Sequence, residues 1–354
     1  MLTAWARQHE FDRPLSAYAT ALSIGGAAAT NRVFLAPMAG ITDRPFRRQA
    51  AALGAGLVVG EMVAGERLLD GAADALAKVA RAGNGPHVVQ LAGCEAGWMV
   101  EAARAAVGAG ADIVDINMGC PAKRVVGGWS GSALMRDPDH ALRLVEAVVA
   151  AVAVPVTVKM RLGWDATALN APQIAARAEA AGVAMITVHG RTRAQFYKGR
   201  ADWAAIRAVK AAVTIPVVAN GDLVDVAEAP AMLAASGADA VMIGRGALGR
   251  PWFPGDVAHF LATGERRAEP DGETRRALLA AQYDDMLALY GRVLGVRVAR
   301  KHLAWSLDAW PLPERDDGEA TALRRAILTS EDPNMVACLL DRWFADDCPA
   351  RMAA

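Results

Sequence analysis

Cys120 stands in the segment Asn117-Met118-Gly119-Cys120-Pro121 and is followed by the small-residue run Gly127-Gly128-Trp129-Ser130-Gly131-Ser132. A thiol is mostly protonated at neutral pH and can give its proton to a carbon where enolate-like charge builds beside a carbonyl. The small residues after it suit a loop that closes over a substrate. A buried thiol at a turn is the commoner fate of cysteine, so its position decides between the two. Asn220-Gly221-Asp222 and Gly244-Arg245-Gly246 carry a second chemistry. Glycine turns that open onto helices hold phosphate through backbone N–H groups, with an arginine as counter-charge. Tight backbone geometry alone would also demand the glycines, but it leaves Asp222 and Arg245 unexplained.

These residues need a scaffold, and the chain repeats one pattern from residue 33 onward: a short apolar run, a polar or glycine turn, then an alanine-rich stretch at helical spacing. Eight such runs occur, at 33–38, 57–61, 87–91, 113–117, 156–159, 185–188, 217–220 and 240–243. Eight βα units predict an α/β fold, a closed (β/α)8 TIM barrel, followed by a small C-terminal helical bundle. The runs end in Met38, Glu61, Gln90, Asn117, Lys159, His189, Asn220 and Gly244-Arg245. Polar residues can merely mark strand exits. In a barrel, however, the C-terminal strand ends share one mouth, so these groups converge on one cavity with Cys120 at its edge.

A fused redox ring of the flavin type suits that set. Lys159 would supply the cation that stabilises its anionic reduced form, Gln90 and His189 would bond the ring edge, and Pro37-Met38-Ala39-Gly40 would form an apolar backbone shelf. An ion pair at the mouth is the plainer reading of Lys159, and a supporting position that of His189.

Composition narrows the classes. Lys and Arg total 38 against 38 Asp and Glu, so the net charge is zero and any nucleic-acid contact rests on a local patch. Cys94, Cys120, Cys338 and Cys348 form no CxxC pair and have no histidine at ligand spacing, so no metal or disulfide is expected, and the three other than Cys120 read as structural. Met1 to Glu10 carries charge where a leader needs an apolar core, and no apolar run reaches the roughly 20 residues of a membrane span. The cytoplasm is the expected address. The predicted divisions are an extension at 1–31, a catalytic barrel at 32–255 and a helical domain at 256–354.

Ala36-Pro37-Met38-Ala39-Gly40-Ile41-Thr42-Asp43, Asn117-Met118-Gly119-Cys120-Pro121, His189-Gly190-Arg191-Thr192-Arg193, Ala219-Asn220-Gly221-Asp222 and Ile243-Gly244-Arg245 together resemble the tRNA-dihydrouridine synthases, nearest the bacterial DusB-like branch. The resemblance runs from about residue 32 to about residue 310 and fades after Asp308. It implies FMN, NADPH as reductant, and tRNA as substrate, with specific uridines reduced at the 5,6 double bond. It places FMN contacts on Pro37, Met38, Ala39, Gln90, Lys159, His189, Asn220, Gly221, Asp222, Gly244 and Arg245, and the proton donor on Cys120. Asn117 would face the uracil edge, Arg191 and Arg193 would line the RNA entrance, and Arg297, Arg300 and Lys301 would grip tRNA. No protein partner is implied, and a monomer is expected. Two rivals stand beside this reading: a flavin barrel acting on a free pyrimidine or small enone, and a non-catalytic tRNA-binding regulator.

Overall fold

In the computed structural model, which describes residues 15–310 and 317–345, the apolar runs close into a parallel barrel. A short antiparallel hairpin, β1 (Leu22–Ile24) and β2 (Ala27–Ala29), precedes it. The barrel strands are β3 (Val33–Leu35), β4 (Leu57–Val58), β5 (Val63–Ala64), β6 (Val88–Ala92), β7 (Ile113–Met118), β8 (Val156–Arg161), β9 (Met185–His189), β10 (Val217–Asn220) and β11 (Ala240–Ile243). Their order is β4-β3-β11-β10-β9-β8-β7-β6-β5. The second expected run, 57–61, is thus only the short β4, with β5 beginning just after it, and a bridge from Val59, next to β4, to Val88 of β6 closes the ring. The interruption lets Glu61 turn its carboxylate to accept the Gly40 N–H of the neighbouring loop.

Side chains alternate between the two faces of each strand, as the pleat requires. Leu35, Leu91, Val114, Ile116, Val158, Val188 and Ile243 point outward into the layer under the helices. Inward positions at the N-terminal ends, Phe34, Leu57, Val88, Ile113, Met185, Val218 and Ala240, form a separate apolar cluster with Leu22, Ile24 and Ala29 of the hairpin. The described part of the N-terminal extension therefore plugs the barrel floor, and Gly25 and Gly26, both at positive φ, make its turn. Residues 1–14 of the extension lie outside the described residues. Helix starts follow local rules: Asp43 caps Arg44–Ala52 by accepting the Phe46 N–H, and Asp137 caps Pro138–Ala151 by accepting that of His140.

The boundary expected after residue 255 falls inside a helix, Phe253–Thr263, whose Val257, Phe260 and Leu261 belong to the barrel core. Pro254 sits in the first turn of that helix, and Gly255 packs where a Cβ would come 1.9 Å from the Leu53 carbonyl oxygen. These residues start an element and allow close approach; they do not mark a linker. The chain divides into one unit of Met1–Ala247 with Trp252–Arg266, and a second of Leu248–Pro251 with Arg267–Ala354.

Among the described residues the second unit holds four helices, Gly272–Tyr290, Arg292–Asp308, Asp317–Thr329 and Pro333–Phe344, around Leu279, Tyr283, Met286, Val296, Leu303, Leu307, Ile327, Leu340 and Trp343. The continuous helical spacing of 274–303 is broken at Gly291, whose φ of 77° reverses the chain. Gly295 then permits close packing, since a Cβ there would lie 2.9 Å from the Leu287 Cα.

Candidate active site at the C-terminal ends of the strands

Going up the barrel axis, the inward positions change from apolar to polar. Gln90, Asp115 and Thr157 lie in register across β6, β7 and β8, and Asn117 and Lys159 pair in the next layer. Arg161, His189 and Asn220 then pair across β8, β9 and β10. This brings Gln90, Asn117, Lys159, His189 and Asn220 together at one end of the barrel. Met38 lies beside Gly244, where a Cβ would be 3.6 Å from its sulfur.

Cys120 is held through its backbone. Asn117 Oδ1 accepts the N–H groups of Gly119 at 3.2 Å and Cys120 at 3.0 Å. Ser132 returns to donate its N–H (3.1 Å) and its hydroxyl (2.9 Å) to the Cys120 carbonyl. Gly131 is required at that closure, since its φ is 61° and a Cβ would come 2.9 Å from the Cys120 oxygen. The thiol is left half-buried beside the mouth. Of the cysteines read as structural, Cys94 is half-buried and Cys338 exposed, while Cys348 lies outside the described residues.

The site carries more positive than negative charge. Lys159 donates to Asn220 Oδ1 at 3.1 Å, and Asn220 donates in turn to the Met242 carbonyl at 2.8 Å. Burial and the neighbouring Arg161 push the Lys159 ammonium down to about 8, against the pull of Asp115 and Cys120. Burial and the charges of Lys159, Arg161, Arg191 and Arg245 push His189 down to about 2, so its ring is neutral. Arg191 faces His189 Nε2 at 3.2 Å. A guanidinium only donates, so Nε2 accepts and the ring proton sits on Nδ1, where it is available to a ligand.

Three of the expected site residues are held by partners within the protein. Arg191, expected at an RNA entrance, is 1% exposed and holds Asp222 with two guanidinium nitrogens, at 3.0 and 2.5 Å. Asp222, expected to touch a cofactor, is fully engaged by Arg191, Arg245 (2.9 Å) and the Ala201 N–H (2.8 Å). Burial raises its pKa, but these donors outweigh that and hold its carboxyl below the usual range. It ties the two arginines together. Arg300, expected on RNA, donates to the Thr329 and Ser330 carbonyls at 3.3 and 3.2 Å and so caps the end of Asp317–Thr329. Arg193 lies over the Trp164 ring at 4.6 Å, Arg297 is exposed and 3.8 Å from Glu331, and Lys301 is half-buried. Pro37 is half-buried and Ala39 exposed.

Sequence reasoning missed Asp115, buried at 4% exposure, and Arg161, which donates to the Gly119, Thr192 and Phe196 carbonyls, each at 2.8 Å. Both were findable: Asp115 is two residues before Asn117 and Arg161 two after Lys159, so strand alternation puts them on the same inward face. Tyr197, with Arg161 at 5.5 Å and Arg245 at 5.0 Å from its ring, had no comparable signal. Among the described residues no cluster could hold a metal ion, and no helix is long and apolar enough to cross a membrane.

The model of the dihydrouridine synthase (Dus) family matches residues 34–334. A probable tRNA-dihydrouridine synthase of Rhizobium leguminosarum bv. phaseoli is 54% identical over 310 residues, which is 88% of this chain and 94% of the relative. The tRNA-dihydrouridine synthase B of Xanthomonas axonopodis pv. citri is 46% identical over 324 residues, covering 91% and 96%. Among solved structures, TcOYE with pHBA superposes with a TM-score of 0.55 at 15% identity over 76% of this chain and 98% of that one. A morphinone reductase variant in complex with tetrahydroNAD gives 0.53 at 17% identity, over 75% and 94%. At such identities the structural likeness speaks for the barrel alone. The family match and the relatives cover the barrel, the Cys120 segment and most of the helices together, and the chain belongs to the dihydrouridine synthase family.

Proposed function

We propose that this chain is a cytoplasmic, FMN-dependent, NADPH-driven tRNA-dihydrouridine synthase, in which Cys120 protonates the uracil ring. One observation carries the reading: Asn117 tethers the backbone of Cys120 at the same end of the barrel where Lys159, His189 and Asn220 gather. The donor set fits a flavin mononucleotide. Lys159 supplies a cation and the neutral His189 an Nδ1–H, while Arg245 stands beside two turn glycines. At Gly221 any Cβ would meet Ala201 at 2.6 Å, leaving backbone as the surface a ligand would approach. When bound, the flavin supplies the hydride that reaches carbon 6 of the uracil.

The residues do the rest. Asn117, with its oxygen taken by two N–H groups, offers only N–H to a uracil carbonyl. Lys159 and the arginines around it offset negative charge as it develops. Cys120 delivers the proton to carbon 5 from a loop pinned at both ends. The relatives' names support tRNA as the substrate, and the exposed Arg297, with the half-buried Arg193 and Lys301, supports contact with its backbone. The test is Cys120→Ala. NADPH should still bleach the flavin at the normal rate, while dihydrouridine formation in tRNA, read by mass spectrometry, falls at least about a hundredfold, the usual scale of acid catalysis. Product at the normal rate would remove Cys120 from the chemistry.

A further inference from the structure

Asp115 is a carboxylate in a layer of the barrel that an apolar side chain could fill, as Ile113 does one layer below. Leaving it there costs desolvation, and burial pushes its carboxyl above the usual range. Its hydrogen bonds explain its presence. The N–H groups of Gly119 and Cys120 can only donate, and both donate to Asn117 Oδ1. Asn117 must therefore turn its Nδ2 toward Gln90, whose Oε1 accepts at 2.7 Å. Gln90 must then turn its Nε2 toward residue 115, where Asp115 Oδ2 accepts at 2.6 Å, and the Thr157 hydroxyl meets Oδ1 at 2.6 Å. Amide orientation is usually a matter of assignment, but here the backbone donors at one end and the carboxylate acceptor at the other require the same direction for every bond.

We propose that Asp115 is a positioning residue: as the terminal acceptor it fixes the orientation of both amides and, through Asn117, the placement of the Cys120 loop. Without an acceptor at 115, Gln90 is free to rotate by half a turn and Asn117 can follow. Asn117 would then set its Nδ2 against the Gly119 and Cys120 donors and release the loop. A neutral carboxyl protonated on the Thr157 side still accepts at Oδ2, so the device works in either protonation state. The proposal rests on Cys120 being the proton donor.

The test uses the flavin-loaded enzyme. Asp115→Leu should lower kcat for tRNA at saturation at least tenfold with KM for tRNA within twofold. It should also change the rate of Cys120 alkylation by iodoacetamide, followed on its own peptide, at least fivefold. Asp115→Asn can still turn its carbonyl to Gln90 and its amide to Thr157, and should bring both readouts to within threefold of the parent. Gln90→Glu sets two carboxylates face to face and should disturb Cys120 alkylation, whereas adding Asp115→Asn to it restores a donor–acceptor contact and should recover at least fivefold. A folded, flavin-bound Asp115→Leu protein with both readouts within twofold of the parent overturns the proposal. If that variant does not fold, a double variant no better than Gln90→Glu alone overturns it. A parent enzyme without tRNA-dependent turnover would instead defeat the proposed function and leave the alkylation result readable.

Discussion

Along β7 the inward side chains run Ile113, Asp115, Asn117, and along β9 they run Met185, Thr187, His189. The two ends of one barrel interior thus face different tasks. At the floor, the strands and the hairpin Leu22, Ile24 and Ala29 pack only apolar groups, which gain from burial and need no partner. At the mouth Gln90, Asp115, Asn117, Lys159 and Asn220 are hydrogen-bonded to neighbouring groups, and several are charged at a cost that packing alone would not justify. Stability is concentrated at one end and chemistry at the other, less than one strand length apart.

Substitutions at the two ends should therefore break different properties. Phe34→Ala at the floor should cost about 3–5 kcal/mol by urea unfolding, while kcat per folded molecule stays within about twofold. A loss of turnover without loss of stability would erase the division. Lys159→Met at the mouth should do the reverse, lowering turnover at least about a hundredfold, or about 2.7 kcal/mol in barrier, with no loss of stability. The pH dependence sharpens this. Lys159 titrates at about 8 in the folded ligand-free protein against 10.5 ordinarily, so the unfolded chain binds more protons between those values. Its charge weakens the fold fully below pH 8, and stability recovers as pH rises from 8 to 10.5. Unfolding curves across that window should show the parent gaining on Lys159→Met; equal slopes would deny the burial cost. The smallest expected effect lies in the second unit. Arg297→Ala with Lys301→Ala should raise KM for tRNA about three- to tenfold and flatten its salt dependence, leaving kcat unchanged.

The barrel was legible because βα repetition leaves a periodic trace, and the mouth was legible because strand ends break that trace with polar residues. Alternation within strands carried Asp115 and Arg161, but attention to strand ends alone passed over both. The floor plug was hidden: Ala27, Ala28 and Ala29 look like the alanine background, and their pairing with Leu22, Ser23 and Ile24 is a tertiary fact. Arg191 and Arg300 show a different limit. A basic side chain in sequence looks like surface charge, and only the fold reveals a carboxylate or a row of helix-end carbonyls close enough to take it inside.

The inward and outward alternation of the strands also governs which changes in chain length the protein can tolerate over time. Inserting or deleting one residue in β7 would turn Asp115 and Asn117 toward the helices and bring Val114 and Ile116 into the cavity, losing floor and mouth at once. No single compensating substitution restores either. Drift in length is therefore confined to loops such as 264–270, and the strands are free to change their side chains but never their count.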